Sequence, residues 1–251
     1  WSTEIVSLYK DQINKFSKVE VADIDKIRIA LNKKSTYELA EKLGINCPKT
    51  FYSKNFDEIK IISKNLQYPV VIKWIFEVGR NIVEVVNTQK NLIETYKKIC
   101  IENNALKDFL PMIQEYIPTQ NNEVYCFSSV YQKGKCKNIF LQKQVRNIPI
   151  NGGTCAKAES FYNSDIIEYS TKILDFLEWH GVAHIEYKFD INKKKFILLE
   201  INPKFWASTD MSLAANVNFP FLLFQISKGI ELNYSEDYSR NFKFHFPFSK
   251  E

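Results

Sequence analysis

Two runs of alternating residues, Val182 to Asp190 and Lys195 to Ile201, flank a short polar stretch from Asn192 to Lys194. Alternation with period two marks a strand, and so short a break leaves a hairpin as the way to join them. No other feature constrains the chain as tightly, because strand pairing fixes which side chains share a face. With the turn centred on Lys193, Glu186 lies seven residues before it and Glu200 seven after, so the two carboxylates face each other. Asn202 falls on the same face as Glu200. Like charges directly opposite destabilise a strand pair, so such a sequence calls for a compensating cation. Two carboxylates and an amide oxygen are hard donors, suited to Mg²⁺ shared with phosphates. The competing readings are a register one residue off, or two glutamates that point to water.

The rest of the chain reads as mixed α+β. Only 7 of 251 residues are glycine, so each glycine carries positional information. Ser35 is expected to cap a helix to Leu43, with Glu38 completing a capping box and Gly44 ending it. Ile45 to Phe51 reads as a strand entry, Asp57 to Leu66 as a helix, Tyr68 to Lys73 and Ile82 to Val86 as strands, and Gln89 to Ile101 as a helix. Past Leu110 come strands at Met112 to Pro118, Val124 to Tyr131 and Lys137 to Val145, the last two joined by a turn at Gly134. Ser164 is expected to cap a helix whose inward positions are Ile166, Ser170, Ile173, Leu174 and Leu177, stopped by Gly181. Three segments follow: residues 1–44 as a helical or linking piece, 45–111 as a small α+β lobe, and 112–251 as a central α+β lobe carrying the hairpin.

Several function classes are excluded or disfavoured. The densest apolar run, Phe219 to Phe224, stops at Gln225, too short for a membrane helix. Net charge is +5, but only Arg28, Arg80, Arg146 and Arg240 among the 34 cations are arginines. A diffuse lysine coat speaks for solubility rather than for nucleic acid, whose binders cluster their cations and favour Arg. Five cysteines with no C-x-x-C fit neither a disulfide framework nor a zinc knuckle, and a cytoplasmic location is expected. His180 and His184 are separated by Gly181 and read as structural. The first residues, Trp1 to Lys10, do not read as a signal peptide, and a start at Trp1 suggests a processed protein or a piece of a longer one. Lys73 ends an apolar strand, where an ammonium can reach a phosphate. Arg146 and the paired Gly152 and Gly153 form a loop where backbone can approach an anion closely.

In sequence order, these pieces resemble the ATP-grasp superfamily, in its branch of carbamoyl-phosphate-synthase-like domains and carboxylate–amine ligases. Asn32-Lys33, Tyr37 to Ala40 and Leu43 to Thr50 are similar to the family's "DK" lysine, helix and "GxxxPxT" entry. Tyr68 to Lys73 resembles its "PVVxK" strand, and Ile113 to Ile117 the strand leading to the adenine hinge. Ile185-Glu186-Tyr187 and Leu199 to Trp206 resemble its metal-binding end, "EINPR".

The resemblance implies two α+β lobes clasping a nucleotide, without the N-terminal substrate-binding domain that usually precedes them. It implies that Lys33 and Lys73 hold the ATP phosphates, that Gln114, Glu115 and the backbone of Ile117 line the adenine pocket, and that Glu123 accepts from the ribose. Glu186, Glu200 and Asn202 would bind one or two Mg²⁺ ions, with Mn²⁺ an alternative. Arg146 and Gly152-Gly153-Thr154 would face the acceptor, and Lys204 would stand where the family's catalytic Arg does. The implied reaction activates a carboxylate as an acyl phosphate for attack by an amine or thiol. The alternative is a degenerate module that binds nucleotide without turnover. It is favoured by the single glycine in Trp74 to Arg80, by Lys204 in place of Arg, and by Asn32 in place of Asp. In the enzyme reading, repulsion between Glu186 and Glu200 is relieved only when the metal binds.

Overall fold

The β-branched run Val70-Val71-Ile72 forms a buried strand at the centre of the smaller of two compact units, Cys47–Pro118, in a computed structural model that describes residues 2–76, 83–102, 110–148 and 154–246. Its antiparallel sheet contains β1 (Thr50–Phe51), β2 (Val70–Lys73), β3 (Val83–Val86) and β4 (Met112–Glu115), in the order β1-β4-β2-β3. Helices α5 (Phe56–Ile62) and α6 (Gln89–Glu102) cover one face. Asn55 caps α5 by accepting from Glu58 N. Because strand side chains alternate, Val70 and Ile72 join Val86, Ile113, Ile59, Leu92, Tyr96 and Ile99 in the core. Val71 and Lys73 therefore project from the other face.

The expected break between lobes at residue 111 moves to 118. β4 was expected to open the larger lobe, but it pairs with β1 and β2 through Ile113 opposite Phe51 and Ile72. Met112 and Ile113 are consecutive and both fully buried, as suits a strand set between two others, and β4 lies between β1 and β2.

The larger unit comprises Trp1–Asn46 and Thr119–Glu251. Its antiparallel sheet runs β10-β7-β6-β5-β8-β9, from β5 (Val124–Gln132), β6 (Lys135–Ile148), β7 (Thr154–Ser160), β8 (Gly181–Asp190), β9 (Lys195–Asn202) and β10 (Lys243–His245). Helix α7 (Ser164–Phe176) lies on one face, where Ser170 Oγ meets Tyr187 OH at 2.9 Å and Tyr131 OH donates to Asp175. Its inward residues are the expected ones, but its cap is Asn163, whose side chain accepts from Ile166 N, rather than Ser164. Helices α8 (Thr209–Ala214) and α9 (Phe219–Ser227) pack on the opposite face.

Residues 1–44 are not a separate segment. Their helices α1 (Ser2–Leu8), α2 (Lys10–Ile13), α3 (Ile24–Leu31) and α4 (Lys33–Lys42) belong to the larger unit, and α3 and α4 pack against β9. They cover the edge strand of the sheet, which would otherwise offer unpaired backbone. α4 begins two residues earlier than expected: Asn32 accepts from Lys34 N and Ser35 N, so Asn32 and not Ser35 is the cap. Gly181, at φ +87°, opens β8 where an added Cβ would meet Glu20 O at 2.6 Å.

Candidate functional site

The pairing of β8 with β9 builds the site. From the turn outward the pairs are Asp190 with Lys195, Phe189 with Phe196, Lys188 with Ile197 and Tyr187 with Leu198. Beyond them Glu186 pairs with Glu200, Ile185 with Ile201, and His184 with Asn202. Leu199 is therefore an extra residue on β9, a β-bulge. The hairpin is centred between Asn192 and Lys193, and a regular ladder from there would set Glu186 against Leu199. The bulge absorbs that residue, so the carboxylates oppose each other as the sequence predicts, with help from an irregularity it does not display.

Helix α4 is fastened to this bulge. Tyr37 OH donates to Leu199 O at 2.7 Å. Lys33 lies one turn earlier on the same helix face, and its Nζ is 2.9 Å from Glu200 Oε2. Both ends of the pair are largely buried, with side chains 11% and 21% exposed. Lys33 is thus the compensating cation that the opposed carboxylates call for. The expectation that only a metal relieves their repulsion is corrected: the chain's own ammonium already does so. Asn202 Nδ2 donates to Glu200 Oε1 at 3.1 Å, which orients both side chains.

Next to Glu186 the face continues into the sheet. His184, two residues back on β8, places Nε2 3.6 Å from Glu186 Oε1. Its Nδ1 shares a 2.9 Å hydrogen bond with Ser128 Oγ, and its ring stacks on Trp206 at 4.8 Å. Cys126 on β5 pairs directly opposite Glu186, and burial pushes its thiol well above the usual range. Sequence reasoning treated His184 as structural and passed over Cys126. The period of two that put Asn202 beside Glu200 also puts His184 beside Glu186, whereas Cys126 is reachable only once β5 is known to pair with β8.

Among the remaining expected residues, Lys73 and Gln114 share the face of the small sheet opposite its helices, since Val71 pairs with Gln114 and Lys73 with Met112. Glu115 alternates to the other face, where its carboxylate accepts from Lys49 N at 3.0 Å. Ile117 is buried. In the larger unit, Glu123 accepts from Tyr125 OH at 2.8 Å and lies 3.6 Å from Lys143 Nζ. Arg146 is exposed, between two irregularities in the β6–β7 register, and lines a recess of about 270 Å³ with Asn121, Asn122, Val145 and Asn147. Asn147 Oδ1 is buried there without a hydrogen-bond partner. Lys204 is exposed just after β9. Gly152, Gly153, the side chain of Thr154 and residues 77–80 of the expected lid lie outside the described residues.

No helix among the described residues is long and apolar enough to cross a membrane. No model of a protein family matches the chain. In sequence it is similar to the carbamoyl phosphate synthase large chain of Caldanaerobacter subterraneus subsp. tengcongensis, 25% identical over 237 residues. That match covers 90% of this chain, which spans only 21% of the relative. In structure it resembles the Campylobacter jejuni biotin carboxylase solved as a β-γ-ATP complex, with a TM-score of 0.78 and 14% identity, over 96% of this chain and 55% of that one. It also resembles the biotin carboxylase domain of Hydrogenobacter thermophilus 2-oxoglutarate carboxylase, solved with MgADP, ADP and bicarbonate. There the TM-score is 0.74 and the identity 16%, over 93% of this chain and 52% of the other.

Proposed function

We infer that this chain, which has the ATP-grasp fold, is the nucleotide-handling domain of an ATP-dependent ligase that activates a carboxylate for attack by an amine or thiol. The observation that carries this reading is the opposition of Glu186 and Glu200, with Asn202 beside them and the Lys33 ammonium already on Glu200. Structural ion pairs seldom need two facing carboxylates. A cation site does.

The donor set fits Mg²⁺: three oxygen-bearing side chains, two of them anionic, on adjacent strands. Glu186, Glu200 and Asn202 would hold the ion, which when bound supplies charge neutralisation for phosphate oxygens. The chain's own residues do the rest. Lys33, poised at the carboxylates, can move its charge to a phosphate once a cation takes its place on Glu200. Lys73 presents a second ammonium from the end of β2, beside Gln114 on the same face, in the roles of phosphate and adenine binding. Glu123, held between Tyr125 OH and Lys143, is placed to accept from a ribose hydroxyl. Arg146, with its planar fork of donors, suits an acceptor carboxylate, whereas the unpartnered Asn147 amide oxygen nearby can only accept, as from an amine N–H. Such a reaction needs positioning and neutralisation rather than a strong base.

Lys73→Ala tests the assignment by calorimetry with MgATP. A charge-assisted contact contributes ~1.5–3 kcal/mol, so affinity should fall roughly tenfold or more. Unchanged affinity would leave Lys73 as one more surface lysine. The exposed Lys204, where the related motif has Arg, supports a second reading: a module that binds ATP without turning it over. ATP binding with no turnover across carboxylate–amine pairs would select that reading.

A further inference from the structure

We propose that Cys126, His184 and Glu186 form a second metal site, for a thiophilic divalent cation of the zinc class, that shares Glu186 with the Mg²⁺ ligands. The thiol sulfur, an imidazole nitrogen and a carboxylate oxygen of these three residues all lie within 4.8 Å of one another. Ligand atoms around a tetrahedral zinc ion sit roughly 3.5 Å apart, given bonds of about 2.0–2.3 Å. Closing the set therefore takes about an ångström of side-chain movement.

Two features give this cluster the character of a built site. The first is the orientation of His184: Ser128 engages Nδ1 and Trp206 stacks on the ring, so Nε2 is turned toward Glu186. A ligating histidine characteristically has its second nitrogen held in this way. The second is rigidity. Cys126 and His184 are buried on adjacent, paired strands, with Cys126 directly across from Glu186 and Ser128 across from His184.

The donor set also chooses the ion. Nitrogen and sulfur donors with one carboxylate suit zinc and its neighbours, whereas Mg²⁺ asks for oxygen alone. Glu186, 23% exposed, is the route in, and three protein ligands leave a coordination position open. Zinc binding displaces the thiol proton to solvent, so affinity rises with pH. Because a carboxylate committed to zinc is withdrawn from the Mg²⁺ set, zinc should compete with Mg²⁺ and suppress nucleotide binding. This consequence rests on the ligase reading; the site itself does not.

The test is a Co²⁺ titration of the whole chain without nucleotide, followed by the near-ultraviolet thiolate-to-cobalt charge-transfer band. The band is expected in the parent chain, absent in Cys126→Ser, and shifted to at least tenfold higher Co²⁺ in His184→Gln. Cys126→Ala serves identically if the serine variant does not fold. No band in the parent, or a band that survives loss of Cys126, overturns the proposal, since four other cysteines could then account for it. Zn²⁺ should weaken Mg²⁺-dependent ATP binding in the parent but not in Cys126→Ser, and equal inhibition of both overturns the sharing of Glu186. A normal cobalt band in a chain that binds no ATP would count against the ligase reading and leave the metal site standing.

Discussion

Lys33 and Glu200 show how a charge pattern becomes a site. Read from the hairpin alone, Glu200→Gln relieves a repulsion and should leave the metal-free chain as stable as before, or slightly more so. The ion pair reverses that expectation. Glu200 is the partner of a largely buried ammonium, and removing one member of a buried pair strands the other at a cost of several kcal/mol, about 3–5 in the fully buried case. The pair here keeps some solvent contact, so Glu200→Gln should lower stability by about 1–3 kcal/mol in urea unfolding without metal. Lys33→Met should also destabilise the chain, and Mg²⁺ should recover more stability in this variant than in the parent, because the carboxylates are then uncompensated. A Glu200→Gln chain that unfolds at higher urea than the parent would show that repulsion, not the Lys33 pair, dominates.

At the scale of elements, the bulge at Leu199 and its fastening by α4 decide whether the carboxylates meet. Tyr37→Phe removes the hydroxyl that donates to Leu199 O and leaves a buried carbonyl short of a donor, which costs about 1–3 kcal/mol. Gly181→Ala should be worse than a surface change, because it combines a positive φ with a Cβ 2.6 Å from Glu20 O. Chemical denaturation of both variants checks these losses, and a neutral Gly181→Ala would mean that the 17–23 segment yields freely. The elements also show what was legible in the sequence. The hairpin, α6, α7 and β2 could be read because each carries its own periodicity or glycine stop. The cap of α4 was misread because Ser35-x-x-Glu38 looked like a capping box, while Asn32, already next to a lysine, makes the bond. β7, α8, α9 and β10 have no expected counterpart, and α1 to α3 were expected only as part of a helical or linking piece, since their patterns are short and gain meaning only against the sheet they cover. Within the site, the opposed glutamates and Asn202 were visible. Lys33's position on Glu200 and that of Cys126 opposite Glu186 depend on contacts 167 and 60 residues apart, which no local pattern encodes, whereas His184 lay within reach of the period of two.

For the molecule as a whole, ligand binding and stability are one measurement. A ligand that binds only the folded chain stabilises it by about 2.7 kcal/mol at one hundred times its dissociation constant. For a chain of this size each kcal/mol moves the midpoint by roughly 2–4 °C, so MgATP should raise the unfolding temperature by about 5–10 °C. The residues proposed for ATP are distributed over both units: Lys73 and Gln114 in Cys47–Pro118, and Lys33, Glu186, Glu200 and Asn202 in the remainder. Linkage acts on whichever cooperative block the ligand holds. Scanning calorimetry with MgATP reads which transition the nucleotide moves. Lys73→Ala, with affinity tenfold lower, should halve the shift at the same nucleotide concentration, because ten times the dissociation constant contributes only about 1.4 kcal/mol. ATP with EDTA should give a smaller shift than MgATP, since the Glu186 and Glu200 carboxylates then face the phosphates without a cation between them. A shift confined to the larger unit's transition, and unaffected by Lys73→Ala, would remove the smaller unit from nucleotide binding and reduce the ATP assignment to the hairpin residues alone.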